Sequence, residues 1–145
     1  MRWRRIELGP GFLFFWALFF FWDREGDALW AFLACAIHEA GHWAALRLGG
    51  GQVRLLRLTI LGASIIPESR GGLSYGKELM ATLAGPGLNL LLALLFSMAG
   101  GYWRTFSAFH LLFGLFNLLP LPGLDGGRAV ALLHRALKNE KNEKK

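Results

Sequence analysis

Four stretches of this 145-residue chain, residues 11–22, 28–48, 79–99 and 102–121, are almost devoid of charge. A soluble amphipathic helix interrupts such runs every few positions with a polar face, so these segments are either enclosed on all sides or surrounded by lipid. Composition decides between the two. With 54% hydrophobic residues, twelve Phe and six Trp, the chain has more apolar surface than a single core of this size can enclose. The expected fold class is therefore an all-α polytopic membrane protein of about four transmembrane segments. A single domain is expected over residues 1–137, followed by a polar cytoplasmic tail, residues 138–145.

The formal net charge of +6 raises nucleic acid as a partner. The Lys and Arg residues sit at the ends of the apolar runs rather than along one face of an element, which excludes that class and points to the lipid bilayer instead. Arg2, Arg4 and Arg5 precede the first run. Arg47, Arg54, Arg57 and Arg70 follow the second, and Arg128, Lys138, Lys141, Lys144 and Lys145 follow the last. The positive-inside rule puts these three groups, and both termini, in the cytoplasm. Residues 23–27 and 100–104 then face outward. Cys35 is the only cysteine, so an intrachain disulfide and a Cys-based zinc cage are both excluded. The basic, Phe-rich start has the look of a signal peptide, yet no small-x-small cleavage site follows it, and the first segment is expected to stay attached.

As a helix the first run spans roughly 20 Å against a hydrocarbon core of about 30 Å, so it has to borrow length from its flanks or thin the bilayer. Residues 28–48 cover roughly 31 Å, a full span, and Gly49, Gly50 and Gly51 stop it. From Gln52 to Ile66 the pattern turns β-rich, with a slip of alternation between Leu55 and Leu56. That predicts a small bulged β-element on the cytoplasmic side, with Arg5 to Leu8 as a possible partner strand. Residues 77–99 read as a helix carrying Gly85, Pro86, Gly87 and Asn89. The fourth segment, from Tyr102, is broken by Pro120, Pro122, Gly123, Gly126 and Gly127. A break at membrane depth has to be shielded by protein or line a wet cavity.

His38, Glu39, Ala40, Gly41 and His42 spell HExxH within the second segment. Residues four apart share a helical face, so both imidazoles reach one ion, and Glu39 stands beside the open coordination position as general base. Two His and a Glu in a lipid-spanning helix are costly, a central carboxylate alone at roughly 3 kcal/mol, and such residues are usually functional. A third ligand is needed. The metzincin extension is excluded because Ala45 and Leu48 stand at its next positions. Of the remaining groups, Asp125 is the strongest candidate, because the Pro- and Gly-broken stretch around it can turn a carboxylate inward. His110 reads better as a buried polar contact, and Cys35 as a small packing residue.

Asn117, Pro120, Pro122, Leu124, Asp125, Gly126 and Gly127 resemble the NxxPxPxLDGG signature of the site-2 protease family, and Gly85, Pro86 and Asn89 its GPxxN segment. With HEAGH ahead of them, the resemblance runs in order from about Ala28 to Leu133. It implies a three-helix catalytic core and one Zn2+ held by His38, His42 and Asp125. It also implies hydrolysis of peptide bonds in membrane-spanning or membrane-associated protein substrates, with Glu39 as general base. Asn117, Asn89, Pro120 and Pro122 are implied as substrate-binding residues. Leu61 and Gly62 stand where relatives often carry Gly-Gly. A minimal member without PDZ or CBS domains is expected, of the sporulation-protease-like branch, in a bacterial cell membrane, with a regulatory membrane partner as a further candidate. Substrate would be held extended by pairing with the strand near Val53 to Ile60. The rival functions are a metal transporter or sensor, for which the helices offer few other polar ligands, and a catalytically silent peptide-binding relative, for which Glu39 has no use.

Overall fold

The two halves of the first β-pairing lie about fifty residues apart, and the connection between them is helical. A computed structural model describes residues 5–51, 53–59, 62–67 and 73–143. In chain order it contains β1 (Arg5–Leu8), α1 (Pro10–Trp22), α2 (Asp27–Leu48), β2 (Val53–Thr59), β3 (Gly62–Pro67), α3 (Tyr75–Phe96), α4 (Tyr102–Asn117) and α5 (Asp125–Glu143). Gln52, Ile60 and Leu61, and the basic residues Arg2, Arg4, Arg70, Lys144 and Lys145, lie outside the described residues.

Local chemistry accounts for the helix ends. Pro10 opens α1 at a position where its missing N–H is not needed. Asp23, after α1, caps α2 from outside. Its Oδ1 accepts from the N–H groups of Glu25, Gly26 and Asp27, and its Oδ2 from Ala28 at 2.9 Å. Led by the Ala28 N–H, these donors hold the Asp23 carboxyl below its usual range. At the other end of α2, Gly50 takes φ +85° and the Gly51 N–H donates back to Leu46 O at 2.9 Å, the left-handed stop for which glycine is suited. α3 continues through Pro86 without interruption.

The sheet has the order β1-β2-β3, with β1 parallel to β2 and β2 antiparallel to β3. Arg5 stands opposite Leu55 and Thr59 opposite Gly62. A parallel pair needs a long crossover, and α1 with α2 supplies it. The small β-element expected over this region is a hairpin, β2 with β3, and Arg5–Leu8 pairs with β2 as its partner strand, so that backbone groups a lone strand leaves open are taken up. Its register shift lies between Val53 and Leu55 rather than after Leu55. Strand β2 is central, with both edges taken, so a substrate cannot add to it as expected; the outer edges belong to β1 and β3.

Helices α2, α3 and α4 pack on one another, and α5 packs on α3. The contacts are made by small residues: a Cβ on Gly41 would stand 2.9 Å from Ala84 O, and one on Gly114 2.9 Å from the Leu90 side chain. Close backbone approach of this kind replaces large interdigitating side chains where the surroundings are apolar. Trp16 of α1 lies on Ala31 and Cys35 of α2, with Phe109 and Phe113 of α4 against it. Large apolar side chains point outward all round, including Phe14, Phe21, Leu94, Met98 and Leu112. Among the described residues α3 is the helix long and apolar enough to cross a membrane, while Gly11–Trp22 is apolar but shorter. α2 is as long as α3 but carries His38, Glu39, His42 and Arg47. The break expected in the fourth segment separates two helices, and α5 runs to Glu143, well into the stretch expected to be a polar tail.

Candidate metal centre

One turn of α2 separates His38 from His42, which brings their rings together edge to face on one side of the helix, with Nε2 atoms 3.0 Å apart. Asp125, the first residue of α5, brings its Oδ2 to 3.0 Å from each of them. His38 and Asp125 are buried, at 4% and 6% exposure. Among the described residues this is the group of His, Cys, Asp and Glu whose ligand atoms converge, all within 4.8 Å of one another.

The turn between α4 and α5 delivers Asp125. After Asn117 the chain folds tightly, with Leu121 N–H donating to Leu119 O at 2.8 Å and Leu124 N–H to Leu121 O at 3.2 Å. Gly123 takes φ +95°. The first turn of α5 lies directly on this loop: a Cβ on Gly126 would overlap the Leu118 carbonyl, and one on Gly127 the Leu121 carbonyl. Gly85 of α3 plays a comparable part beside α2, because a Cβ there would overlap the His42 imidazole.

The donor chemistry fits a cation. His42 donates its Nδ1–H to Ala81 O at 2.8 Å, so the neutral ring presents a bare lone pair at Nε2. That lone pair faces a carboxylate oxygen at 3.0 Å. Two acceptors at this distance repel unless a proton or a metal ion stands between them. Two imidazoles and a carboxylate form a ligand set suited to zinc. The second carboxylate oxygen, Oδ1, lies 4.0 Å from Arg128 Nη1.

Glu39 is half-buried next to His38 on α2. The expected substrate-binding residues divide. Asn117 is half-buried and donates its Nδ2–H to Phe113 O of its own helix at 3.0 Å. Pro120 and Pro122 are exposed on the break. Asn89, by contrast, is fully buried between two imidazoles, its carboxamide 3.4 Å from His38 Nδ1 and 3.1 Å from His110 Nδ1. His110 is itself fully buried and stands outside the converging group, as does Cys35, which belongs to the Trp16 cluster. His134 is exposed on α5. The Ala81 carbonyl, which sets the His42 tautomer, and Gly85, which gives that ring room, carry no local sequence signal for these roles. Both arise from α3 lying on α2.

No protein-family model matches the chain, and no curated protein does either. Among solved structures, the site-2 protease from Methanocaldococcus jannaschii is similar to it, with a TM-score of 0.72 at 23% sequence identity. The likeness covers 90% of this chain and 67% of that one. With the likeness running over nine-tenths of it, the chain has the fold of a site-2 protease.

Proposed function

We propose that the chain is an intramembrane zinc metalloprotease of the site-2 type, acting on membrane-spanning or membrane-associated protein substrates. The observation that carries the reading is the convergence of His38, His42 and Asp125, from the middle of an apolar helix and the start of an amphipathic one, within a fold shared with a protease. His38, His42 and Asp125 would hold the ion. When bound there, zinc supplies the Lewis acidity that brings water toward a pKa of about 7 and stabilises negative charge on the substrate carbonyl oxygen. Glu39 takes the proton from the attacking water and returns it to the leaving amine. Asn117, at the end of α4, and Pro120 and Pro122, on the break, line the approach of the cut segment, whose carbonyls have to be released from helical hydrogen bonds before attack.

Four segments, α1 to α4, cross or enter the bilayer in this reading, with both chain ends in the cytoplasm. His38 lies roughly ten residues from either end of α2, which puts the metal on the order of 15 Å from each surface. Water reaches it through the broken connection between α4 and α5, where irregular backbone is tolerated only beside protein or solvent. The exposed apolar side chains around the bundle support the same reading, since lipid is their natural partner. A transport function lacks support, because among the described residues no second group of converging ligands continues from the first.

The test is zinc content together with cleavage of co-expressed single-pass substrates. Wild type is expected to hold about one zinc and to cleave. Glu39→Gln keeps the zinc and loses about 10²- to 10⁴-fold in cleavage rate, whereas Asp125→Ala loses the metal. Wild type without zinc, or Glu39→Gln cleaving normally, overturns the proposal.

A further inference from the structure

Among the described residues His110 is the largest fully buried side chain, and the catalytic reading leaves it without a task. It sits on α4, and its Nδ1 lies 3.1 Å from Asn89 Oδ1 on α3. On the other side, the Asn89 Nδ2 lies 3.4 Å from His38 Nδ1 on α2. Asn89 shares the complete burial of His110, and His38 is nearly as enclosed. The three polar side chains therefore form a sealed row across three helices, ending at a metal ligand.

Such a row has two polarities. In one, His110 Nδ1–H donates to Asn89 Oδ1, Asn89 Nδ2–H donates to His38 Nδ1, and His38 carries its proton on Nε2. That nitrogen then donates to Asp125 Oδ2, 3.0 Å away, and has no lone pair for a cation. The other polarity follows from a half-turn of the Asn89 carboxamide, which exchanges its oxygen and nitrogen at nearly unchanged distances. Now His38 Nδ1–H donates to Asn89 Oδ1, Asn89 Nδ2–H donates to the His110 Nδ1 lone pair, and His110 carries its proton on Nε2. His38 Nε2 is bare, as a ligand has to be. The change moves one proton within each ring and releases none. His110 Nε2 is buried without a hydrogen-bond partner among the described residues in either polarity, so what selects between them is the demand made at His38.

We infer that His110 is a positioning residue for the metal: through the Asn89 carboxamide it holds His38 in the tautomer whose Nε2 lone pair faces the ion. Its role differs from that of the Ala81 carbonyl at His42, which accepts only and so fixes one tautomer permanently. Ligating imidazoles generally need an acceptor at the second nitrogen. Asn89 can serve as that acceptor only while its own N–H is taken up elsewhere, and His110 Nδ1 is the atom that takes it. The inference rests on the metal reading above.

Full-length protein in detergent is loaded with zinc alone and titrated with a competing chelator. His110→Phe, which keeps the ring volume and removes the acceptor, is expected to weaken zinc binding about 10- to 100-fold. His110→Asn, whose carboxamide oxygen falls where the imidazole Nδ1 was, restores it to within about threefold. In an Asn89→Asp background, where the carboxylate only accepts, His110→Phe costs less than about threefold more. Imidazole nitrogen resonances of zinc-loaded wild type should place the His110 proton on Nε2. They decide the matter even where a variant fails to fold. The inference is overturned if folded His110→Phe binds zinc like wild type, if His110→Asn is as weak as His110→Phe, or if loaded His110 is protonated on Nδ1. Wild type that binds no zinc overturns the metal reading and this inference with it.

Discussion

The three proposed metal ligands come from two unlike places. His38 and His42 stand in the interior of an unbroken helix of 22 residues, where helical periodicity alone puts their rings together. Asp125 stands at the first position of α5, after a seven-residue break, and reaches the same point only because the chain turns back on itself at Gly123 and lies flat at Gly126 and Gly127. The first pair is fixed by local geometry and, once α2 is helical, needs only room for its rings beside α3. The third ligand depends on close packing of backbone on backbone, so it is the part of the site most open to damage by substitutions that touch no ligand.

The contrast can be broken most directly at Gly126. Gly126→Val puts atoms where the Leu118 carbonyl stands, so Asp125 is displaced while α2 keeps both imidazoles. Zinc affinity measured by chelator competition is expected to fall about 100-fold, the upper end for changes outside the ligands themselves, with helical circular dichroism retained. Gly87→Ala on α3, where a Cβ meets nothing within 4 Å, is the control and should bind like wild type. Gly85→Ala tests the helical pair in turn. The added Cβ forces the His42 ring aside, and because α2 itself stays intact the expected loss is smaller, about 10-fold in zinc affinity.

The sheet lies outside the contrast and sharpens it. Strand β2 is bonded on both sides, so Leu58→Pro removes a ladder hydrogen bond whichever way that residue faces. Cleavage is expected to slow while zinc content stays at the wild-type level. Loss of zinc in this variant would tie the sheet to the metal site. The smallest effect is expected at Asp23, which caps α2 far from its His residues. Its carboxyl is held below the usual value near 4, so the stability it lends is complete above that value and disappears as pH falls through the lowered one. Thermal unfolding of Asp23→Ala and wild type should therefore differ slightly at neutral pH and converge in acid, with zinc content the same in both at neutral pH.

The sequence foretold the elements unequally. The helix over α2, its stop at the glycines and the pairing of His38 with His42 are legible because they depend on residues within one or two turns. The break before Asp125 is legible for the same reason, since Pro120, Pro122 and Gly123 punctuate it locally. The β-element and its partner at Arg5 to Leu8 were legible, but the reversal between β2 and β3 was not, because alternation records that a segment is extended and not where it turns back. Asn89 was read as a substrate contact, although it lies sealed between His38 and His110. A polar residue in an apolar run announces that it has a partner, but not which one.

What the sequence determined by itself was therefore the set of apolar helices and the chemistry they carry: HExxH on one face, and a carboxylate at a broken turn. Tertiary structure decided how that chemistry is completed. Packing of α3 on α2 brought the Ala81 carbonyl to His42, the folded turn brought Asp125 to both imidazoles, and the crossing of α2, α3 and α4 lined up His38, Asn89 and His110. The physical reason is one of range. Helical spacing is set by backbone hydrogen bonds between near neighbours, whereas the partner of a buried polar atom is chosen by whichever distant backbone can come close enough, and here Gly41, Gly85, Gly114 and Gly126 make that approach possible.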